Sequence, residues 1–507
     1  MTRLVVVGNG MVGARFVEDL LAADRTGRFE VTVLGAEWCE PYNRVLLSEV
    51  VAGAYDVGAL TLPTPSNRRL RIHRGARVVH VDRDDRAVVT DDGRRHRYDQ
   101  LVLATGSAAR IPPLRGLDED PESLPPGAHA LRTIDDAREI VAATLNARRA
   151  VVLGAGVLGL EAACGLARRG LAVTVVHPAS ALMERQLDVP ASRVVEDAMV
   201  KLGIDHRLGI GADSVRLEQG RMAAVTLTDG EAIDAELLVL ATGTSPAIGL
   251  AAQAGLATAR GVLVGADLAS PNDPRVFAIG DCAQPPEGGT GLVAQGWDQA
   301  RRLSARLAGA GGASDHRQEI PNDVVRLKAH GLDVVTMGIC GSQRAHDAGE
   351  RTVRLSDPEM GRHVEVVVSG GTLVGATCIG AGEVAADLIA AYLRRTPLPA
   401  DPAYLLVPTL RGQATSAANP LDLPPDATVC HCNAVTKADI GRSVDDGATS
   451  LASVAHMTRA TTGCGGCAAD VCALVDLLRS SQEADASGED RFTQGKHVTN
   501  TAEIGAL

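Results

Sequence analysis

At 507 residues the chain has room for about three or more domains at roughly 150 residues each, and its 45% hydrophobic content with 54 glycines and only 2% aromatics fits an α/β protein with parallel strands buried on both faces. The net charge of -12 argues against nucleic-acid binding. No apolar run reaches the ~18 residues needed to cross a bilayer, and the N-terminus enters a strand rather than a leader, so a cytoplasmic protein with no membrane partner is expected.

The first stretch, Leu4-Val5-Val6-Val7 and then Gly8-Asn9-Gly10-Met11-Val12-Gly13, is a strand turning through G-x-G-x-x-G into a helix. Gly8 permits the tight turn, Gly10 lets a pyrophosphate approach the backbone, and Gly13 lets helix and strand pack closely. A second strand, Val31–Leu34, is followed by Glu37, placed to bind a ribose diol. The segment Pro41-Tyr42-Asn43-Arg44 comes next, where a redox pair C-x-x-x-x-C is missing; Cys39 is a single thiol and reads as structural. Leu101–Leu103 ends in Ala104-Thr105-Gly106, and Leu237–Leu240 repeats the ending as Ala241-Thr242-Gly243.

A second fingerprint stands at Gly154-Ala155-Gly156-Val157-Leu158-Gly159, again between an apolar strand and a helix. Two such units in one chain are far more specific than one, because chance matches multiply. The strand after it ends at His177, where an NADH site often has a carboxylate for the ribose 2'-hydroxyl. A histidine there, with Arg185 nearby, would also tolerate a 2'-phosphate, so the coenzyme is written NAD(P)H with no preference.

Residues 1–310 resemble the two-dinucleotide-domain flavoprotein reductases, in which FAD occupies the first fold and a nicotinamide coenzyme the second. The strand Arg275–Ile279 closing on Gly280-Asp281 matches the family's third element, and the resemblance implies that Asp281 binds the flavin's ribityl chain. It likewise implies that Arg132 lies near the FAD adenine and that Glu161, catalytically, sits beside the nicotinamide. The expected partition is 1–113 with 246–310 for FAD and 114–245 for NAD(P). Residues 303–319 read as a linker.

From 316 to 410 the sequence resembles the small α+β C-terminal domain of rubredoxin reductases, with short strands and a helix from Gly382 to Arg394. Lys328 and His330 read there as solvated side chains. Pro420–Pro425 marks a boundary, and beyond it Cys430-His431-Cys432 and Cys464-Gly465-Gly466-Cys467 bring two thiolate pairs to one ion. That spacing resembles the 2Fe-2S domain of the bacterioferritin-associated-ferredoxin (BFD) type, over about 426–481; a structural Zn site would use the same four ligands. His431 reads as exposed or outside the ligand set, and Cys472 as core. The tail 482–507 is polar and expected to be flexible.

The domain order is similar to that of the N-terminal half of the NAD(P)H nitrite reductase large subunit and of the assimilatory nitrate reductase electron-transfer subunit; Pro41–Arg44 and Met183–Asp188 strengthen the match. The resemblance implies an FAD-dependent NAD(P)H oxidoreductase that passes electrons through a 2Fe-2S cluster to a nitrate or nitrite reductase catalytic subunit. With no cysteine after Cys472, the chain is not expected to reduce nitrite by itself. The alternatives are a ferredoxin or rubredoxin reductase serving an oxygenase, or a flavoprotein fused to a Zn-stabilised docking module.

Overall fold

The apolar run behind Met1 becomes the strand Thr2–Val7, with Leu4 and Val6 wholly removed from water. Such a run suits a strand covered on both faces, and it lies inside a six-stranded sheet, paired in parallel with Phe29–Gly35 on one side and Gln100–Leu103 on the other. The computed structural model describes residues 1–309, 323–341, 349–406, 423–425, 427–430, 435–461, 467–468 and 470–480. They fall into two units, Met1–Gly412 and Gln413–Leu507.

The first unit holds three sheets of note. In the six-stranded one, Asp273–Ala278 pairs with Gln100–Leu103, which brings a strand from late in the chain into the sheet of the first. The second is a five-stranded parallel sheet in the spatial order Ile204–Leu208, Ala172–His177, Arg149–Leu153, Leu237–Leu240, Ala128–Ala130. The chain crosses between these folds twice, and the crossings, Ser107–Ala109 and Thr244–Pro246, pair antiparallel with each other. The third is a five-stranded antiparallel sheet carrying the helix Gly382–Arg394. Its strand Val325–Ala329 packs on the helix Val157–Arg168, and Leu327, Leu332 and Ile379 share a core with Leu160 and Val195.

Two expectations about these elements need correcting. The linker does not begin at 303, because the helix Val293–Leu307 continues through it, burying Leu303 and Ser304; the glycines that follow masked the last helical turn. The rest of the linker reading, 310–319, lies outside the described residues. The third sheet also contains Leu332–Gly338 and Arg351–Asp357, two strands that the sequence reading passed over.

The second unit is small and helical. A hairpin, Thr428–Cys430 with Val435–Thr436, leads into the helices Lys437–Asp445 and Leu451–Thr458, each begun by a reciprocal capping box, and a further helical stretch covers 470–480. Its core gathers Val429, Cys430, Ile440, Val454, Cys467, Val471 and Leu474. Cys472 is exposed, contrary to its reading as core: the helix turns Val471, Leu474 and Val475 inward and leaves position 472 outside. The tail 482–507 lies outside the described residues.

Candidate cofactor sites

Both Gly-rich turns are closed by the strand ending that follows each fold. A Cβ on Gly8, at φ +113°, would lie 2.1 Å from Ala104 O, and one on Gly13 2.3 Å from Gly8 O. The second fold repeats the arrangement: a Cβ on Gly154, at φ +106°, would lie 2.4 Å from Ala241 O, and one on Gly159 1.9 Å from Gly154 O. Around Gly106, Gly156 and Gly243 nothing lies within 4 Å of a Cβ, so each loop is tight against the sheet and open on its outer side. The helices that start there, Met11–Ala23 and Val157–Arg168, begin at Gly10 and Gly156 with no side-chain cap and no acid in the first turn. Helices without this duty, Ile134–Ala143 and Val189–Lys201, are capped by Thr133 and Asp188. The uncapped N–H groups and the positive helix end fit a pyrophosphate. Asn9 adds a buried amide Nδ2 with no hydrogen-bond partner, a donor suited to the same ligand. Met11, the first helical residue, is buried beneath the loop.

Beyond the second strand, Glu37 accepts from the Tyr42 hydroxyl at 2.8 Å and is ion-paired with Arg44. The Arg44 guanidinium also donates to Arg132 O and lies over the Tyr42 ring. Burial alone would lower the Arg44 pKa, but Tyr42 and Glu37 outweigh it and raise it. Burial pushes the Cys39 thiol up, and the Glu37 charge adds to this, which suits a structural rather than a reactive cysteine. Sequence reasoning missed the neighbouring half-open groove of about 670 Å³ lined by Trp38, His73, Gly75 and His96. No spacing rule marks it, because its walls come from three separate segments.

At the other end Asp281 Oδ2 accepts from Ser107 Oγ at 2.7 Å and from Arg132 Nη2 at 2.9 Å. Both fall on one oxygen, which leaves Oδ1 to accept from a ligand hydroxyl. The backbone of Arg132 therefore lies by Arg44 while its side chain reaches Asp281. Gly280, at φ +77°, is held through its N–H by the Gln299 amide oxygen at 2.7 Å. Thr105 Oγ1 donates to Ala247 O, and Thr242 Oγ1 to Arg110 O, so each A-T-G ending is tied to the end of the crossing that follows the other one.

Glu161 is not a surface helix residue: it is 3% exposed. Ser48 Oγ donates to it at 2.5 Å, Lys328 N at 2.8 Å and Lys328 Nζ at 3.1 Å. Three parts of the chain thus meet on one carboxylate. Lys328, read from sequence as solvated, is corrected to a part-buried ion-pair partner, because its strand lies on the Glu161 helix; His330 is exposed as expected. Burial and the Glu161 charge raise the Glu49 pKa, and the Lys328 cation opposes this, so it relieves two adjacent acids. In the second fold, His177 Nε2 lies 3.0 Å from Glu184 Oε2, and Arg185 is exposed.

Of the four cysteines that the sequence pattern singles out, Cys430 and Cys467 are described, both buried in the core of the second unit. Cys432, Cys464 and His431 lie outside the described residues. Two buried sulfurs in one small core fit a soft metal centre. Elsewhere Cys164, Cys282 and Cys378 are buried free thiols.

Residues 2–301 match the pyridine nucleotide-disulphide oxidoreductase family model, and residues 428–476 the BFD-like [2Fe-2S] binding domain. The chain belongs to the pyridine nucleotide-disulphide oxidoreductase family and is an FAD-dependent NAD(P)H oxidoreductase with a BFD-like [2Fe-2S] domain. It is 31% identical to the assimilatory nitrate reductase electron transfer subunit of Bacillus subtilis (strain 168), over 94% of this chain and 59% of the relative. It is 33% identical to the nitrite reductase [NAD(P)H] large subunit of Klebsiella oxytoca, over 94% of this chain and 49% of that one. The chain therefore spans about half to three-fifths of the length of these relatives. Among solved structures, the ferredoxin reductase for the CYP199A2 system from Rhodopseudomonas palustris superposes with TM-score 0.64 at 27% identity, over 75% of this chain and 91% of that one. Among the described residues, no helix is long and apolar enough to cross a membrane.

Proposed function

We propose that the protein carries electrons from NAD(P)H to a separate nitrate or nitrite reductase catalytic subunit in nitrate assimilation, in the cytoplasm. The observation that carries this is the continuous similarity over 94% of the chain to an electron transfer subunit of assimilatory nitrate reductase, which takes in flavoprotein and cluster domain together. Bound FAD would accept a hydride as an electron pair, and the cluster would release electrons one at a time.

In this reading FAD is held by Gly8, Gly10, Met11, Gly13, Glu37, Arg44, Ala104, Thr105, Gly106, Arg132, Gly280 and Asp281. The coenzyme is held by Gly154, Gly156, Gly159, His177, Arg185, Ala241, Thr242 and Gly243, with Glu161 beside the nicotinamide, and the cluster by Cys430, Cys432, Cys464 and Cys467. The folds divide as 1–113 with 246–310, 114–245, 316–410 and 426–481. Ile111 and Leu114 both pack into the core of the second fold, which favours a boundary just before Ile111, slightly earlier than 113. The chain's own work is to stack the two ring systems and keep water from the transferred hydride.

The test is the Cys464→Ser chain, purified anaerobically. NAD(P)H should bleach its flavin as in the parent, while nitrate-dependent NAD(P)H oxidation in the presence of the catalytic subunit stops. Undiminished delivery, or zinc without iron and acid-labile sulfide in the parent protein, would overturn the route.

A further inference from the structure

The sequence leaves the choice between NADH and NADPH open, because the last residue of the strand Ala172–His177 is a histidine. In the fold that histidine does not stand alone. Ala155, the middle residue of the second Gly-rich turn, directs its N–H at His177 Nδ1 at 3.4 Å, and its carbonyl accepts from Met183 N at 2.9 Å. The segment after Met183 is thereby tied to the phosphate loop. Met183 has φ +47°, and its carbonyl accepts from the backbone N–H of Gln186 and Leu187, so the chain folds back sharply and lays Glu184 against the imidazole. With Nδ1 accepting, the ring's donor is Nε2–H, and it faces Glu184 Oε2 at 3.0 Å. Glu184 is one-third exposed, open to a ligand from the solvent side.

We infer that Glu184, oriented by His177, is the coenzyme-specificity residue of the nicotinamide fold and selects NADH against NADPH. This rests on the reading of the second fold as the nicotinamide site. The position that usually carries an acid has instead a histidine that holds an acid from the next loop. A carboxylate there accepts from the 2'-hydroxyl of NADH and repels the 2'-phosphate of NADPH, an exclusion of the wrong ligand by like charge. His177 gives its one donor to Glu184 and has none left for a phosphate. Two cations come near. Arg207, on the adjacent strand, is spent on Glu231 at 3.0 Å. Arg185 is exposed, and its backbone is fixed by the close approach of Gly341, whose Cβ would fall 2.4 Å from Arg185 O.

The experiment uses the FAD-loaded full chain and follows bleaching of the flavin band by each coenzyme. In parallel, calorimetry measures binding of adenosine 5'-monophosphate and adenosine 2',5'-bisphosphate, which reads the ribose pocket without hydride transfer. The parent should favour NADH by roughly tenfold or more in kcat/KM. Glu184→Gln should raise both NADPH use and bisphosphate binding by about tenfold, and Glu184→Asp should keep the parent's preference. A parent that prefers NADPH, or a Glu184→Gln chain with the parent's ratio in both assays, overturns the inference. If neither coenzyme bleaches the flavin, the proposed function fails, and the calorimetry still decides the role of Glu184.

Discussion

The two dinucleotide folds are built from the same local parts and differ in what surrounds them. Each has a Gly-rich turn jammed against an A-T-G strand ending, and each fastens the start of its central strand with an acid. Asp99 accepts from the Arg3 N–H and guanidinium, and Glu236 from the Arg148 and Arg149 N–H groups and the Arg149 guanidinium. The difference lies two residues past the third glycine. In the first fold that position is Arg15, paired with Asp19 on its own helix at 2.9 Å; in the second it is Glu161, buried and held from two other parts of the chain. The same helix position closes on its own helix in one fold and in the other gathers Ser48 and Lys328 from distant parts of the chain. A repeated motif therefore predicts a repeated backbone but not a repeated site.

The largest expected effect breaks the junction at Glu161. Lys328→Met leaves Glu161 buried without its cation and should lower stability by about 3–5 kcal/mol, whereas Arg15→Met, which removes a part-buried pair within one helix, should cost less, about 1 kcal/mol. Thermal unfolding of the two variants measures the contrast, and adding Glu161→Gln to the Lys328→Met chain should recover much of the loss. Equal costs would show that Glu161 is no special junction.

Next come the turns. Gly8→Ala and Gly154→Ala both place a methyl group inside contact distance of a carbonyl at a positive φ, a steric conflict of about 1–3 kcal/mol or more. Their functional outcomes should diverge: Gly8→Ala should be purified with little flavin, while Gly154→Ala should keep its flavin band but resist bleaching by NAD(P)H. Loss of flavin in both would undo the assignment of one cofactor to each fold.

The smallest effect is the one on which the folds should agree. Hydrogen bonds from Arg3 hold Asp99 down at about 2. Burial alone would raise Glu236, but Arg149 and the two backbone amides bring it to about 2 as well. Groups depressed in this way stabilise the fold above their ordinary pKa values, near 4, and lose that contribution as pH falls toward 2. Asp99→Asn and Glu236→Gln should each cost less than about 1 kcal/mol at neutral pH, since both acids are more than a third exposed and screened. The gap from the parent should close between pH 4 and pH 2 in an acid titration of the unfolding midpoint.

Much of this was legible because it is local. Strand, glycine spacing and helix lie within a dozen residues in each fold, and the glycines at 8, 13, 154 and 159 mark close approaches that no other residue permits. The cysteine pattern likewise announces its chemistry through spacing. Cys472, Lys328 and the last turn of the helix Val293–Leu307 went astray for a common reason: their environments are made by partners that the neighbouring sequence does not name.

The sequence by itself determined two dinucleotide folds, a third α+β domain, the Asp281 strand ending and a four-cysteine module, because each rests on periodicity or on spacing along one segment. Only the tertiary structure decided that Lys328 closes on Glu161 and that Arg132 reaches Asp281. It also decided that His177 holds Glu184. In the first two the partners lie more than a hundred residues apart in the chain, and in the third a sharp reversal at Met183 sets the geometry, so the contacts exist only once the sheets have brought their ends together.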